Sequence, residues 1–318
     1  RAAIEHAERG LPTMQRTEYP LLSPSLGSQK TLVAFHFGVA GAGPKVYIQA
    51  SLHAEELPGM LVAHHLRERL EAAEREGHFC GEVILVPAAN PIGLSQRLDH
   101  RAMGRFEFDT AQNFNRHYPD MAAAVLEDAL PLMGNDAGAN VDTVRRLVGQ
   151  WLTQWQPASE LESLRRQLLL LSHDADLVLD LHCDTEAVMH LYSEEACWAP
   201  FEPLARLLGC RAVLLARESG GGPFDERLSG LWWQLAAALK KAGVTAPLPQ
   251  ACASTTVELR GEADVSHELA RQDAQAIEAF LLHAGVLGGQ PSPTLPPMAC
   301  EPTPLAGSQT LRSPVPGV

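Results

Sequence analysis

The run Asp176-Leu177-Val178-Leu179-Asp180-Leu181 constrains the fold more than any other stretch of this chain. Its near-continuous apolarity suits a strand buried on both faces, and such strands belong to parallel sheets covered by helices above and below. Val46-Tyr47-Ile48, Glu82-Val83-Ile84-Leu85-Val86, Arg211-Ala212-Val213-Leu214-Leu215 and Ser254-Thr255-Thr256-Val257-Glu258-Leu259 read as further strands. Helical patterns separate them. Pro58 stands where a helix can begin, and Leu61, Leu66 and Leu70 follow at helical spacing around the charged Arg67, Glu68 and Arg69. Residues 120–173 look helical throughout, as two helices split near Pro157-Ala158-Ser159, and helices are expected at about 228–242 and 266–284. Strands alternating with helices predict an α/β sheet with helices on both faces.

The two ends read differently. Residues 1–30 are mixed and polar, with Pro12, Pro20 and Pro24 breaking regular structure. From Gly288 onward, Pro291, Pro293, Pro296, Pro297, Pro302 and Pro304 predict an extended linker, and the last residues to Val318 show no helical or strand period. Apolar residues make up 46% of the 318 and charged ones 20%, enough for a sizeable core and unlike a disordered chain. A net charge of −13 argues against nucleic acid or an anionic membrane as partner. No 18-residue apolar run is present and the N-terminus, which opens on Arg1 rather than Met, lacks a basic-then-apolar leader. Cys80, Cys183, Cys197, Cys210, Cys252 and Cys300 form no CxxC, so they read as reduced, mostly buried thiols of a cytoplasmic protein. A homo-oligomer is compatible with all of this.

The strongest local signal is His53-Ala54-Glu55-Glu56, directly after a strand. An imidazole and a carboxylate three residues apart at a strand's C-terminal end can converge on one cation, and strand ends are where open α/β sheets place their sites. Alone, HxxE is more often a surface pair. A second histidine, His182 in Asp180-Leu181-His182-Cys183-Asp184, closes another strand. Zinc takes nitrogen and oxygen donors, and a catalytic zinc keeps three protein ligands with one position open. Asp180 points to the same strand face as His182 and suits a carboxylate that orients the imidazole. A lone histidine beside apolar residues is ordinarily a core residue, but a His/Glu pair at one strand end and a His at another make a metal site the better reading. In Asn113-Phe114-Asn115-Arg116 the Arg beside an Asn can clamp a carboxylate, although a surface loop is the plainer reading. Glu258, among β-branched residues, is either a general base or an inter-strand pairing partner. Leu161, Leu164, Leu168 and Leu171, like Trp151 and Trp155, read as core rather than a dimerisation stripe. Gly220-Gly221-Gly222 reads as a flexible turn.

Taken in order, His53-Ala54-Glu55-Glu56, Asn90-Pro91, Asn115-Arg116, Asp180-Leu181-His182 and Thr256-Val257-Glu258 resemble the succinylglutamate desuccinylase/aspartoacylase family of the zinc carboxypeptidase-like superfamily, over about residues 30–285. The resemblance implies a mixed, mostly parallel central sheet flanked by helices; residues 120–173 are read as a helical insertion, expected to wall the pocket off against long peptides and so to favour small substrates. It implies one Zn2+ held by His53, Glu56 and His182, Glu258 as general base, and Asn115 and Arg116 gripping a substrate carboxylate. An Arg that polarises the scissile carbonyl is assigned to Arg105, with Arg97 and Arg101 as rivals. The implied activity is metal-assisted hydrolysis of a small carboxylate-bearing amide such as an N-acyl amino acid. The alternatives are a metallocarboxypeptidase and a non-catalytic scaffold that kept the fold. The family's usual His-Gly-Asn-Glu stands here as His-Ala-Glu-Glu, which keeps the ligands and is expected to alter the pocket wall. Together with Gly104-Arg105-Phe106 it looks like a divergent bacterial branch. On this likeness residues 1–287 are the catalytic domain, and 288–318 are a linker at the start of a missing or truncated C-terminal β domain.

Overall fold

The computed structural model describes residues 14–309, 311, 312, 314 and 315. In chain order the strands are β1 (Gln15–Pro20), β2 (Thr31–Gly38), β3 (Lys45–Ala50), β4 (Glu82–Val86), a small hairpin of β5 (Arg97–Leu98) and β6 (Arg101–Ala102), β7 (Leu177–Asp184), β8 (Met189–Glu194), β9 (Ala212–Ala216), β10 (Ala253–Gly261) and β11 (Pro302–Pro304). The helices are α1 (Pro58–Arg75), the single turn α2 (Pro91–Leu94), α3 (Met121–Ala129), α4 (Ala137–Gln154), α5 (Glu160–Ser172), α6 (Trp198–Leu208), α7 (Phe224–Lys241) and α8 (His267–His283).

Nine strands form one sheet in the order β1-β2-β4-β3-β7-β10-β8-β9-β11. The central neighbours β4-β3, β3-β7 and β7-β10 are parallel, as are β8-β9 and β9-β11. The pairs β1-β2, β2-β4 and β10-β8 are antiparallel. The sheet is therefore mixed and mostly parallel, as expected. Strand alternation sends Val46, Ile48, Val83, Leu85, Leu179, Leu181, Val257 and Leu259 into a core with helices α1, α6 and α8. Tyr47, Ile84, Val86 and Val178 face the other way, into a core with α3, α4, α5 and α7. Leu179 and Leu181 have no exposed surface. Truncating such a side chain to Ala costs about 2–5 kcal/mol, so these two residues anchor the first core, while Val178 of the same strand joins the second.

Helix starts follow their local chemistry. Asp120 caps α3, Asp136 caps α4, Ser159 caps α5 and Ser266 caps α8, each side chain accepting an orphan backbone N–H. Residues 120–173 make three helices, not two. The expected split near 157–159 is present, and Pro131, Gly134 and the Asp136 cap impose a second break. These helices also form the covering layer on one sheet face, and none of their residues lines the central cleft, so they do not wall it off. Leu161, Leu164, Leu168 and Leu171 are buried there, and Trp151 stacks on Trp155 at the edge of the same core.

The polar start holds the edge strand β1, whose exposed residues give no alternating apolar signal. Pro20 ends that strand, Pro24 lies outside any strand or helix, and Pro12 lies outside the described residues. In the Pro-rich tail, Pro302–Pro304 is extended as expected but pairs with β9 as an added edge strand. All six cysteines are free, four of them buried. Among the described residues no helix is long and apolar enough to cross a membrane.

Candidate metal centre and active site

The three central parallel strands bring their C-terminal ends to one place. In register, Gln49, Asp180 and Thr256 lie side by side, and His182 and Glu258 stand opposite each other one step further along. The same face of β7 that carries apolar Val178 deeper in the sheet therefore turns polar at its end. After β3, Ser51 takes a positive φ of 64° and turns the chain into the His53 loop. Asn90 holds that loop: its side-chain Nδ2 donates to the Leu52 carbonyl at 2.8 Å while its Oδ1 accepts Gly93 N–H at 2.8 Å, capping α2.

His53, Glu56 and His182 are buried together, and one donor atom of each lies within 4.8 Å of the others. Nδ1 of His53 is 2.9 Å from Glu56 Oε1, and Nδ1 of His182 is 2.7 Å from Glu56 Oε2. The far nitrogens are held as well. His53 Nε2 meets Asn113 Oδ1 at 2.9 Å, and His182 Nε2 lies 3.0 Å from Asp180 Oδ2. Behind Asp180, Gln49 Nε2 donates to Oδ1 at 2.9 Å and the Tyr47 hydroxyl donates to Gln49 Oε1 at 2.9 Å. Asp180 Oδ2 itself has no well-aligned hydrogen bond. Imidazoles whose outer nitrogens are fixed this way present their inner nitrogens to a common point, the usual arrangement around a ligated metal.

Electrostatics agree. Burial pushes Glu56 up, but the His182 charge and the hydrogen bonds from both histidines outweigh it and hold Glu56 well below the usual carboxylate range. For His182 burial favours the neutral ring, yet Asp180 and Glu56 overcome this and leave its pKa well above that of a free imidazole. The site is thus built around carboxylates that require a cation, whether a proton on His182 or a metal. Glu258 differs: burial pushes it up to about 7, His182 pulls it down, and Glu56, Asp184 and Asp180 push it further up. Its Oε2 is buried without a hydrogen-bond partner.

A cleft of about 390 Å³ opens onto these residues, lined among others by Arg105, Arg116, Glu194 and Asp225. Arg105 reaches the site but donates from Nη2 to Glu56 Oε1 at 2.7 Å. Its rivals do not line the cleft: Arg97 folds back onto the Leu94 and Gln96 carbonyls, and Arg101 is exposed on the β5-β6 hairpin. Asn115 is committed on one side, its Oδ1 accepting Phe224 N–H at 2.9 Å and its Nδ2 lying 3.4 Å from His182 Nε2. Among the described residues Arg116 has no carboxylate partner, and it donates from Nη1 to the Asn115 carbonyl at 2.7 Å. The triple glycine is its backing rather than a loose turn. His117 and Tyr118 N–H donate to Gly221 and Gly222 carbonyls, and a Cβ on Gly221 would stand 2.8 Å from Arg116 Cδ.

Ala54 and Glu55 do not line the cleft, contrary to expectation. They pack under Gly104, whose carbonyl accepts Ala54 N–H at 3.0 Å and where any Cβ would clash with both residues. Sequence reasoning also missed Asn113, Gln49, Glu194 and Asp225. Asn113 and Gln49 were marked only by being amides beside a motif and within a buried strand. Burial pushes Glu194 up to about 8 and Asp225 up to about 6, with neighbouring carboxylates adding to both.

The sequence profile of the succinylglutamate desuccinylase/aspartoacylase catalytic domain matches residues 42–284. The chain belongs to this family. A solved family protein from Shewanella amazonensis SB2B is 28% identical, with a TM-score of 0.74 over 91% of this chain and 76% of that one. One from Shewanella frigidimarina NCIMB 400 is 26% identical with a TM-score of 0.72 and the same coverages. The ectoine utilization protein EutE (DoeB) from Ruegeria pomeroyi, 17% identical over 91% of this chain and 72% of that one with a TM-score of 0.56, shares the fold. No curated protein matches. The enzyme is a hydrolase of the succinylglutamate desuccinylase/aspartoacylase family, and its buried His53-Glu56-His182 group has the donor set of a metal centre.

Proposed function

We propose that this enzyme is a zinc-dependent deacylase that cleaves the amide bond of a small, carboxylate-bearing substrate such as an N-acyl amino acid. The observation that carries this reading is the convergence of two outward-held imidazoles on Glu56 beside Glu258, whose Oε2 is buried without a hydrogen-bond partner. Two nitrogens and a carboxylate fit zinc with a coordination position left over. When bound, zinc supplies a Lewis acid that polarises the acyl carbonyl and acidifies water.

The chain's own groups supply the rest. Glu258, with a pKa raised to about 7, takes a proton from the attacking water as the C–O bond forms. As the C–N bond breaks it returns that proton to the leaving amine. Arg116, backed by Gly221, binds the substrate carboxylate, and the remaining N–H of Asn115 assists. Arg105 swings from Glu56 to the carbonyl oxygen and steadies the charge that develops there.

A metallocarboxypeptidase would use the same residues, but a cleft of about 390 Å³ suits a small amide better than a peptide. Matched N-acyl amino acids, their carboxamides and short peptides are the test. Cleavage of the free acids is expected, with Arg116→Ala raising KM at least tenfold for acids and leaving the carboxamides unaffected. Faster cleavage of peptides, or an Arg116→Ala effect equal for acids and carboxamides, would overturn the assignment.

A further inference from the structure

We propose that His64, His65 and Glu68 on α1 form a second divalent-metal site, separate from the first and supported by His267 of α8. Glu68 stands four residues after His64 and three after His65, so on α1 its carboxylate can meet both adjacent rings, the exposed His64 and the buried His65. One donor atom of each residue lies within 4.8 Å of the others. His64 Nε2 is 3.6 Å from Glu68 Oε1, and His65 Nδ1 is 3.4 Å from Glu68 Oε2. Both separations are long for a hydrogen bond. They end on the two oxygens of one carboxylate, so a small turn of Glu68 would bring a single oxygen towards both rings, at the edge of about 3.3 Å expected between tetrahedral donors ~2.0–2.1 Å from zinc.

His65 is the pre-set member. It is buried, and its other nitrogen, Nε2, lies 2.9 Å from Nδ1 of His267. That contact fixes the ring and aims Nδ1 at Glu68, the same device that orients His53 through Asn113 in the first centre. His64 and Glu68 are about half exposed, so an ion has direct entry and the remaining coordination positions face water. Two imidazoles and one carboxylate favour zinc, nickel or copper over calcium or magnesium. His64 lies eight residues beyond Glu56, seven of them in α1, and does not line the cleft, so an ion here is bound independently of it. It would tie the helix after the Glu56 loop to the helix after the Glu258 strand.

The test is calorimetric titration of the metal-stripped full chain with Zn2+. Wild type is expected to take two equivalents and His64→Ala/Glu68→Ala one, with hydrolysis and the thermal unfolding of the stripped protein unchanged. His267→Gln should keep two equivalents and weaken the second about tenfold. Equal stoichiometry in wild type and His64→Ala/Glu68→Ala would overturn the proposal. A wild type that binds one equivalent, lost with His64 and Glu68, would support this site and remove the first. As a second measurement, Cu2+ bound to His53→Ala/His182→Ala should show electron-spin coupling to two imidazole nitrogens that vanishes when His64 is also replaced. No such coupling would count against the site.

Discussion

Glu258→Gln should inactivate the enzyme and, in the metal-stripped protein, make it more stable at alkaline pH. Burial lifts the Glu258 carboxyl from its ordinary 4.5 to about 7 in the fold. A raised folded-state pKa means that the fold prefers the protonated form. Wild type therefore has its full stability below pH ~4.5, loses part of it as pH rises to about 7, and loses no more beyond. The interval between 4.5 and about 7, at ~1.4 kcal/mol for each pH unit, sets a ceiling of about 3 kcal/mol. Glutamine is nearly isosteric and cannot ionise, so the variant escapes that loss. For a chain of this size the gain corresponds to roughly 5 °C in unfolding temperature. Thermal unfolding of both stripped proteins at pH 4.5 and pH 8.5 measures it: the curves should nearly coincide at the lower pH and separate at the higher. Hydrolysis by the loaded variant should fall by about 10²–10⁴-fold, the usual contribution of a general base. In the loaded wild type the cation draws the carboxyl down, so the rising limb of activity should lie at or below pH ~7. Equal unfolding temperatures at pH 8.5, or hydrolysis within tenfold of wild type, would refute the reasoning.

Gly221→Ala should cost about 1–2 kcal/mol, because φ is +75° and the new Cβ meets Arg116 Cδ at 2.8 Å. It should raise KM for carboxylate substrates through displacement of Arg116, read from unfolding and steady-state kinetics. Gln49→Leu leaves the buried Asp180 without its donor and the Tyr47 hydroxyl without its acceptor. Zinc affinity is expected to fall about 10–100-fold, and unchanged affinity would show that the Tyr47-Gln49-Asp180 chain does not orient His182.

The centre of the sheet was legible because strands buried on both faces leave apolar runs, as in β3, β4 and β7, while β10 was readable from its β-branched Thr255, Thr256 and Val257. Strand β1 was hidden because an exposed edge strand needs no apolar face, and α6 because Pro203 interrupts its pattern. At the site, residues near strand ends were readable: His53 follows β3 and His182 lies near the end of β7, and parallel pairing brings such ends together. What was not readable is set by contacts distant in sequence. Asn113 reaches His53 across sixty residues, and Gln49 reaches Asp180 across a strand pair. Ala54 and Glu55 were taken for pocket wall because they lie between ligands, but the turn packs them under Gly104, Ala54 buried and Glu55 partly so. The triple glycine looked like slack, yet its close approach to Arg116 is what glycine permits.

The central claim is a metal held by His53, Glu56 and His182, and the most direct measurement is a zinc-edge anomalous difference map of crystals grown with zinc. The account predicts a peak ~2.0–2.1 Å from Nδ1 of both histidines and within bonding distance of the Glu56 carboxylate. No peak there at saturating zinc, with Glu56 still paired to the two imidazoles, would contradict it.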